Sequence, residues 1–91
     1  MKTAKLIKDY LEGFVGHAAL YKLSNKVTYD DYKTTKFVVC STVSVRFSGI
    51  ETYIFPADKS GEVLDWLELE GSQRGVVSHE DVLNNIGYTI K

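Results

Sequence analysis

The clearest pattern in the chain is the alternation of apolar and polar residues between Phe37 and Phe47. The apolar residues take every second position, with Ser41 as the only small polar member of the series: Phe37, Val39, Val43, Val45 and Phe47. Val38 is the one strong apolar exception among the residues between them. A period of two is the side-chain period of a strand with one buried face. The run therefore predicts the central strand of a sheet.

Weaker alternation predicts three further strands. The first runs from Gly16 to Leu23, and another covers Glu51 to Ala57, where Pro56 limits pairing at its end. A short turn at Ser48-Gly49 joins the latter to the central strand, which predicts an antiparallel hairpin. A fourth strand is predicted over Glu62–Trp66, although Glu62–Leu69 could also form a short helix. The polar residues 24–35 are expected to form a turn-rich loop.

Apolar residues in the N-terminal segment recur at a spacing of three and four rather than two. The spaced residues are Leu6, Ile7, Tyr10, Leu11 and Phe14. This spacing is typical of one face of an amphipathic helix, so we expect a helix over residues 3–13. Thr3 suits its N-cap and Gly13 its end.

The C-terminal segment carries the clearest helix signature. Ser78 is a good N-cap, and Asp81 lies three residues further on, where it can complete a capping box. Gly87 is placed to end the helix. The residues after it, Tyr88–Lys91, can add an edge strand.

Together these elements predict the fold class. We expect an α+β protein with residues 1–91 forming a single small domain. Its mostly antiparallel sheet of about four strands would carry an N-terminal and a C-terminal helix packed on one face. The odd-numbered residues of the central strand should then be buried with residues of the two helices, namely Leu6 or Ile7, Leu11, Val82 and Ile86.

Composition narrows the class of protein. The 91 residues are 44% hydrophobic and 25% charged, as in an ordinary soluble globular protein. The net charge of −1 provides no overall field that would attract nucleic acid, so nucleic-acid binding is not favoured. Charged residues interrupt every apolar stretch near the N-terminus, which predicts neither a signal peptide nor a membrane span. With a single cysteine, we expect a cytoplasmic location.

The candidates for chemistry are few. Cys40 could in principle be reached by His17 or His79, but it lies within a predicted strand, whereas reactive thiols favour partly exposed electropositive sites. His79 with the adjacent Glu80 lacks the spacing of a metal-binding helix face. We therefore expect no enzyme activity, no metal and no cofactor.

Two segments favour binding more than catalysis. Gly71–Gly75 offers glycines, a hydroxyl and Arg74, but lacks the spacing of known phosphate-binding loops, so a structural loop is favoured, with Arg74 free to be a surface anchor. Acidic residues gather around Trp66 at positions 58, 62, 65, 68 and 70. A solvated rim of the sheet is the favoured explanation, and the alternative is an acidic surface with an aromatic residue that suits a basic protein partner.

Several segments together resemble small orphan proteins carried by bacteriophages and prophages. They are Gly16–Tyr21, Glu51–Asp58, Gly61–Trp66, Gly71–Ser72 with Arg74-Gly75, and Gly87–Tyr88. The group has no assigned activity, so the resemblance implies a viral setting and carries over no functional residue. In that setting many small proteins bind and block a host factor.

The function predicted from these observations is that of a small non-enzymatic protein-binding module, and the viral setting favours a phage inhibitor of a host defence or regulatory complex. Aromatic residues and arginine most often carry binding energy, and nearby acidic residues steer a basic partner. The expected contact residues are Tyr53, Asp58, Glu62, Asp65, Trp66 and Arg74. The alternative is a nucleotide- or RNA-binding domain that uses Arg46, Arg74 and Lys59 for phosphates. In either case we expect a monomer or a small homo-oligomer.

Overall fold

Strands, rather than helices, make up most of the regular structure. The computed structural model describes residues 2–13, 16–45, 49–65, 73–74 and 78–91. The strands are β1 (Thr3–Lys8), β2 (His17–Tyr29), β3 (Lys33–Val45), β4 (Gly49–Ala57), β5 (Gln73–Arg74) and β6 (Thr89–Ile90), and the helix α1 covers His79–Asn85. The strands form one sheet in the order β5-β4-β3-β2-β1-β6. All neighbours are antiparallel except β1 and β6, which are parallel.

The expected α+β domain with four strands and two helices is therefore wrong. Residues 3–8 form β1, an extended strand that pairs with β2 through Ala4 and Leu23, and α1 is the one helix among the described residues. The spacing of Leu6, Ile7 and Tyr10 fits a helix, but the long β2 offers a full row of backbone partners to the segment. Pairing across a sheet overrides a weak local preference of this kind.

The segment between the first two predicted strands is also more regular than expected. β2 continues to Tyr29 and β3 begins at Lys33, so the two strands form a long hairpin. Asp30 and Asp31 at its turn both have left-handed backbones, with φ of 50° and 68°. Two successive positive φ values are characteristic of the tight turns that match the twist of a hairpin, and Asp tolerates them.

The C-terminal predictions are confirmed. The Ser78 side chain accepts a hydrogen bond from the Asp81 N–H, and the Asp81 carboxylate accepts one from the Ser78 N–H, which completes the capping box. The chain leaves α1 through Gly87, whose φ of 93° is readily reached only by glycine. It then forms β6 as the outermost strand beside β1.

The sheet is covered on both faces, which overturns the predicted register of burial. Val82 and Leu83 of α1 pack with the even-numbered Val38 and Cys40 of β3. The odd-numbered Val39 is also fully buried, but on the opposite face and away from α1. That second cluster consists of Ala18, Leu20, Val39 and Ala57, against which Leu11, Phe37 and Val63 pack.

Two further predicted segments lie partly outside the described residues. The predicted fourth strand is reduced, in the part that the structure describes, to one bridge between Ala57 and Val63. Trp66 and the rest of the alternative helix lie outside the described residues. Of the expected loop at 71–75, the backbone of Gln73 and Arg74 forms β5, which pairs with Glu51 and Thr52 of β4.

Candidate functional site

Both histidines of the chain meet in one row of rings, which we call the aromatic stack and which consists of Tyr10, His17, His79 and Tyr21. The Tyr10 and His17 rings stack with their centroids 4.4 Å apart, and the His17 and His79 rings stack at 4.6 Å. Tyr21 meets His79 edge-on at 6.0 Å. The fold brings these residues together because β2 runs beside the turn after β1 while α1 begins over the same strand.

The buried end of the aromatic stack favours one neutral tautomer of His79. Its Nε2 lies 3.2 Å from the carbonyl oxygen of His17, which can only accept, so Nε2 carries the proton. Its Nδ1 then accepts from the Tyr21 hydroxyl at 3.3 Å. Burial and the neighbouring His17 lower the pKa of His79, which favours this neutral form. Burial is also the main cause that raises the pKa of Tyr21 to about 12, so its hydroxyl remains a donor.

The outer end of the aromatic stack is tied to an aspartate. The Asp9 carboxylate pairs with Nε2 of His17 and also accepts a hydrogen bond from the Tyr10 N–H at 2.9 Å. The hydrogen bond from His17 is the main cause that lowers the pKa of Asp9. One carboxylate thus links the backbone of the turn after β1 to the first side chain of β2.

Tyr10 is held in an uncommon conformation that displays its ring. Its φ of 52° lies in the left-handed region, which bulky residues rarely occupy. The Asp9 carboxylate holds its N–H, and the next residue, Leu11, donates its N–H to the Ala18 carbonyl at 2.8 Å. The side chain is nevertheless 73% exposed. A strained residue fixed by its surroundings and open to solvent is typical of a functional position.

An open groove of about 330 Å³ lies beside the buried end of the aromatic stack. Its lining combines the two imidazole rings with several hydroxyl groups: His17, Tyr21, Thr42, Ser78, His79, Glu80 and Ile90. The Thr42 hydroxyl is already hydrogen-bonded to that of Thr52 at 3.0 Å, and the Ser78 hydroxyl caps α1. The groove is a shallow surface feature rather than an enclosed pocket of the kind that usually holds a small ligand.

Exposed apolar side chains continue from Tyr10 along β1. Leu6 is 43% exposed and Ile7 is 45% exposed. A register shift between Leu6 and Lys8 marks a bulge at this point of the pairing with β2. We call Leu6, Ile7 and Tyr10 the contact strip.

The residues predicted to bind a partner are spread, in the described part of the chain, over β4 and the loop that follows it. Tyr53 lies on β4, where its hydroxyl donates to the Glu51 carboxylate and its ring stacks on Phe55. Asp58 follows the end of β4 five residues later, on the order of 15 Å away at the rise of an extended chain. Glu62 is exposed and belongs to the same loop as Asp58.

Asp58 has a structural role in that loop. Its Oδ1 accepts hydrogen bonds from the Ser60 N–H at 2.9 Å, the Ser60 hydroxyl at 2.6 Å and the Glu62 N–H at 3.1 Å. The Ser60 hydroxyl is the main cause that lowers the pKa of Asp58. Such side-chain bonds to nearby backbone are characteristic of a tight turn.

The other predicted contact residues are less fully placed. Asp65 is half-buried, and Trp66 lies outside the described residues. Arg74 is placed by its backbone alone, opposite Glu51. Of the residues proposed for phosphate binding, Lys59 is exposed in the turn after β4, and Arg46 lies outside the described residues. The contact role of these residues stays a prediction.

The chemistry considered for Cys40 is disfavoured by its surroundings. The side chain is fully buried in the cluster beneath α1, and burial raises the pKa of the thiol. A protonated thiol without access to solvent is a poor nucleophile. In the described residues, no three or more His, Cys, Asp or Glu side chains are grouped to hold a metal ion.

Sequence reasoning missed the aromatic stack and the contact strip. It considered His17 and His79 as partners of Cys40 and His79 as a metal ligand, and it assigned Tyr10 to a helix. The sequence signal that could have pointed to the aromatic stack was weak, namely that the chain has only two histidines. The left-handed backbone of Tyr10 has no counterpart in the local pattern.

Comparison with known proteins found no matching protein-family model, no similar curated protein and no similar solved structure. No helix in the part of the chain that the structure describes is long and apolar enough to cross a membrane.

Proposed function

We propose that this chain is a small protein-binding module whose contact surface is the contact strip. The observation that carries the proposal is the placement of exposed apolar side chains. Among the described residues five large hydrophobic side chains are exposed, and three of them are Leu6, Ile7 and Tyr10. Single exposed apolar residues need no explanation, but several within one short segment favour an interaction site.

The aromatic stack supports this function by organising the surface in advance. The Tyr10 ring rests on His17, and the Tyr10 backbone is fixed by the Asp9 carboxylate. A partner that binds an ordered tyrosine loses less conformational entropy than one that must first immobilise it. Tyrosine and apolar side chains are also among the residues that interfaces favour.

The test is affinity capture from a lysate of the source organism, with variants of the contact strip and a matched tyrosine control. Tyr10→Ser and Ile7→Thr should each lose a partner that the unchanged chain retains. Tyr32→Ser is the control, because Tyr32 is 77% exposed but lies at the tip of the β2–β3 hairpin. A partner retained equally by all four proteins, or lost equally with Tyr32→Ser, contradicts the proposal. Nuclease treatment of the lysate separates a protein partner from RNA.

The finer expectations stay predictions. They include the absence of enzyme activity, metal and cofactor, the cytoplasmic location, the phage or prophage origin, and action as an inhibitor of a host complex. The oligomeric state and nucleotide or RNA binding also stay predictions. The acidic residues Asp58 and Glu62 can still steer a basic partner, although the contact strip is the surface favoured here.

A further inference from the structure

The outer edge of β1 is only partly covered. The Thr89 N–H donates to the Lys2 carbonyl at 3.1 Å, and the Lys91 N–H donates to the Ala4 carbonyl at 2.9 Å. Among the described residues, the pairing with β6 reaches only Thr3 and Ala4. Backbone groups alternate sides along a strand, so Leu6, two residues after Ala4, directs its N–H and C=O to the same outer side. In the part of the chain that the structure describes, the edge is therefore open where the contact strip begins.

This open edge is basic. Lys5 and Lys22 lie directly opposite each other on β1 and β2, and both are exposed. Like charges at directly opposed positions destabilise a sheet. Lys8 adds a third exposed cation. The ion pairs of the described residues are His17–Asp9 and Lys33–Asp30, and neither involves these three lysines.

The lysines restrict what can pair with the edge. Two copies of β1 meeting edge to edge would bring lysines against lysines, and edge lysines are a common means of preventing such pairing. A strand that carries carboxylates opposite them would relieve the repulsion instead. The same charges therefore exclude one class of strand and favour another, which is how interfaces gain specificity.

We propose that the outer edge of β1 at Leu6 accepts an extended, acidic segment of a partner protein as an added strand. The added strand lies in line with β6 and bonds the outward N–H and C=O of Leu6. Its carboxylates face Lys5 and Lys8, whose partners on β2 are Lys22 and Leu20, and its apolar side chains on the other face contact Leu6, whose partner is Tyr21. Strand addition of this kind takes affinity from main-chain hydrogen bonds and specificity from alternate side chains. The inference rests on the proposed function and names the chemistry of the partner.

The first experiment uses two blocked eight-residue peptides, one of alternating Glu and Val and one with Lys in place of Glu. Amide hydrogen exchange of the full chain is followed residue by residue by NMR. A saturating amount of the Glu peptide should slow exchange at Leu6 at least tenfold, and the Lys peptide should leave it unchanged. The double variant Lys5→Glu with Lys8→Glu should reverse this preference. Equal protection by both peptides, or protection by neither, overturns the proposal.

A second pair of variants tests the main-chain bond. Leu6→Pro removes the outward N–H, and proline is tolerated where a strand edge faces solvent. Leu6→Ala is the matched control, because it shortens the same side chain and keeps the N–H. The Glu peptide should bind Leu6→Ala at least tenfold more tightly than Leu6→Pro, and equal affinities contradict strand addition. If Leu6→Pro does not fold, the exchange measurement and the charge reversal decide the matter.

The failure of this inference can be separated from failure of the proposed function. A partner can be captured in a Tyr10-dependent way and still bind both Leu6→Pro and the double variant Lys5→Glu with Lys8→Glu. That result supports the proposed function and refutes strand addition. If no captured partner depends on Tyr10, the proposed function is refuted, whatever the peptides do.

Discussion

The approach of β2 to β3 next to the aromatic stack depends on the absence of a side chain at Gly16. A Cβ at this position would lie 2.3 Å from the Thr42 carbonyl oxygen and 3.3 Å from the Val43 Cα. Gly16 also has a φ of +86°, which an L side chain rarely adopts. Gly16→Ala therefore combines a backbone strain with a collision against main chain.

Gly13 provides a matched control that isolates the strain. Its φ is +88°, but nothing lies within 4 Å of the position that a Cβ would take. A left-handed alanine costs about 1–2 kcal/mol. Alanine also reduces the conformational freedom of the unfolded chain, which offsets about 0.4–1 kcal/mol of this cost. Gly13→Ala should thus lower the free energy of unfolding by about 1 kcal/mol.

At Gly16 the collision adds to the same strain. Thr42 pairs with His17 at the start of the β2–β3 ladder. The Thr42 carbonyl can therefore move away from an added Cβ only by disturbing that pairing. Leaving one such backbone group without its partner costs about 1–3 kcal/mol. Gly16→Ala should therefore lower the free energy of unfolding by about 3 kcal/mol in total. For a domain of this size, that shifts the Tm by roughly 12–24 °C, against roughly 4–8 °C for Gly13→Ala.

Urea unfolding followed by circular dichroism measures both variants. A second readout is the NMR spectrum of the two imidazole rings, which Gly16→Ala should shift because His17 follows it directly. Gly13→Ala should leave those resonances in place. If the decreases in the free energy of unfolding caused by the two substitutions differ by less than about 0.5 kcal/mol, the argument from close approach is refuted.

The remaining predictions concern the two faces of the sheet and the buried titratable groups. Val38→Ala and Val39→Ala should each cost about 2–3 kcal/mol in urea unfolding, from two methyl groups and the cavity left behind, whereas the half-buried Val43→Ala should cost about 1 kcal/mol. A cost below about 1 kcal/mol for Val39→Ala would refute a core on its face. Because burial lowers the pKa of His79 below its usual 6.5, the unfolded chain binds more protons than the folded chain below that pH. The free energy of unfolding should fall from pH 7 to pH 5, and less so in His79→Gln; an equal fall in both proteins contradicts the assignment. Cys40 should react with a chromogenic disulfide reagent at pH 8 far more slowly in the native protein than in guanidinium, since burial raises its pKa; rapid native labelling would show that the thiol is accessible.

Local signals in the sequence determined several elements correctly. The alternation after Phe37 identified β3, which lies inside the sheet between β2 and β4. The capping box of Ser78 and Asp81 identified the start of α1. Both signals, the alternation and the capping box, lie within a few residues along the chain, so a linear pattern is enough to recognise these elements.

Elements that depend on distant partners were predicted less well. The N-terminal segment shows helical spacing, yet it forms β1 because β2 lies alongside it. Val38 stood out only as an exception to the alternation, although it marked the face on which α1 packs. A strand that is covered on both sides loses the contrast between its faces, so its pattern cannot say which side meets the helix.

The candidate site was decided by tertiary structure alone. Asp9, His17 and His79 come from the turn after β1, the start of β2 and the start of α1. Residues 17 and 79 are separated by 62 positions, and their stacking requires both the β1–β2 pairing and the docking of α1 over Cys40. The sequence by itself determined short-range preferences such as caps, turns and alternation. Which rings stack, and which strand edge stays open, follow from contacts between distant segments, because the energy that fixes them is gained only when those segments meet.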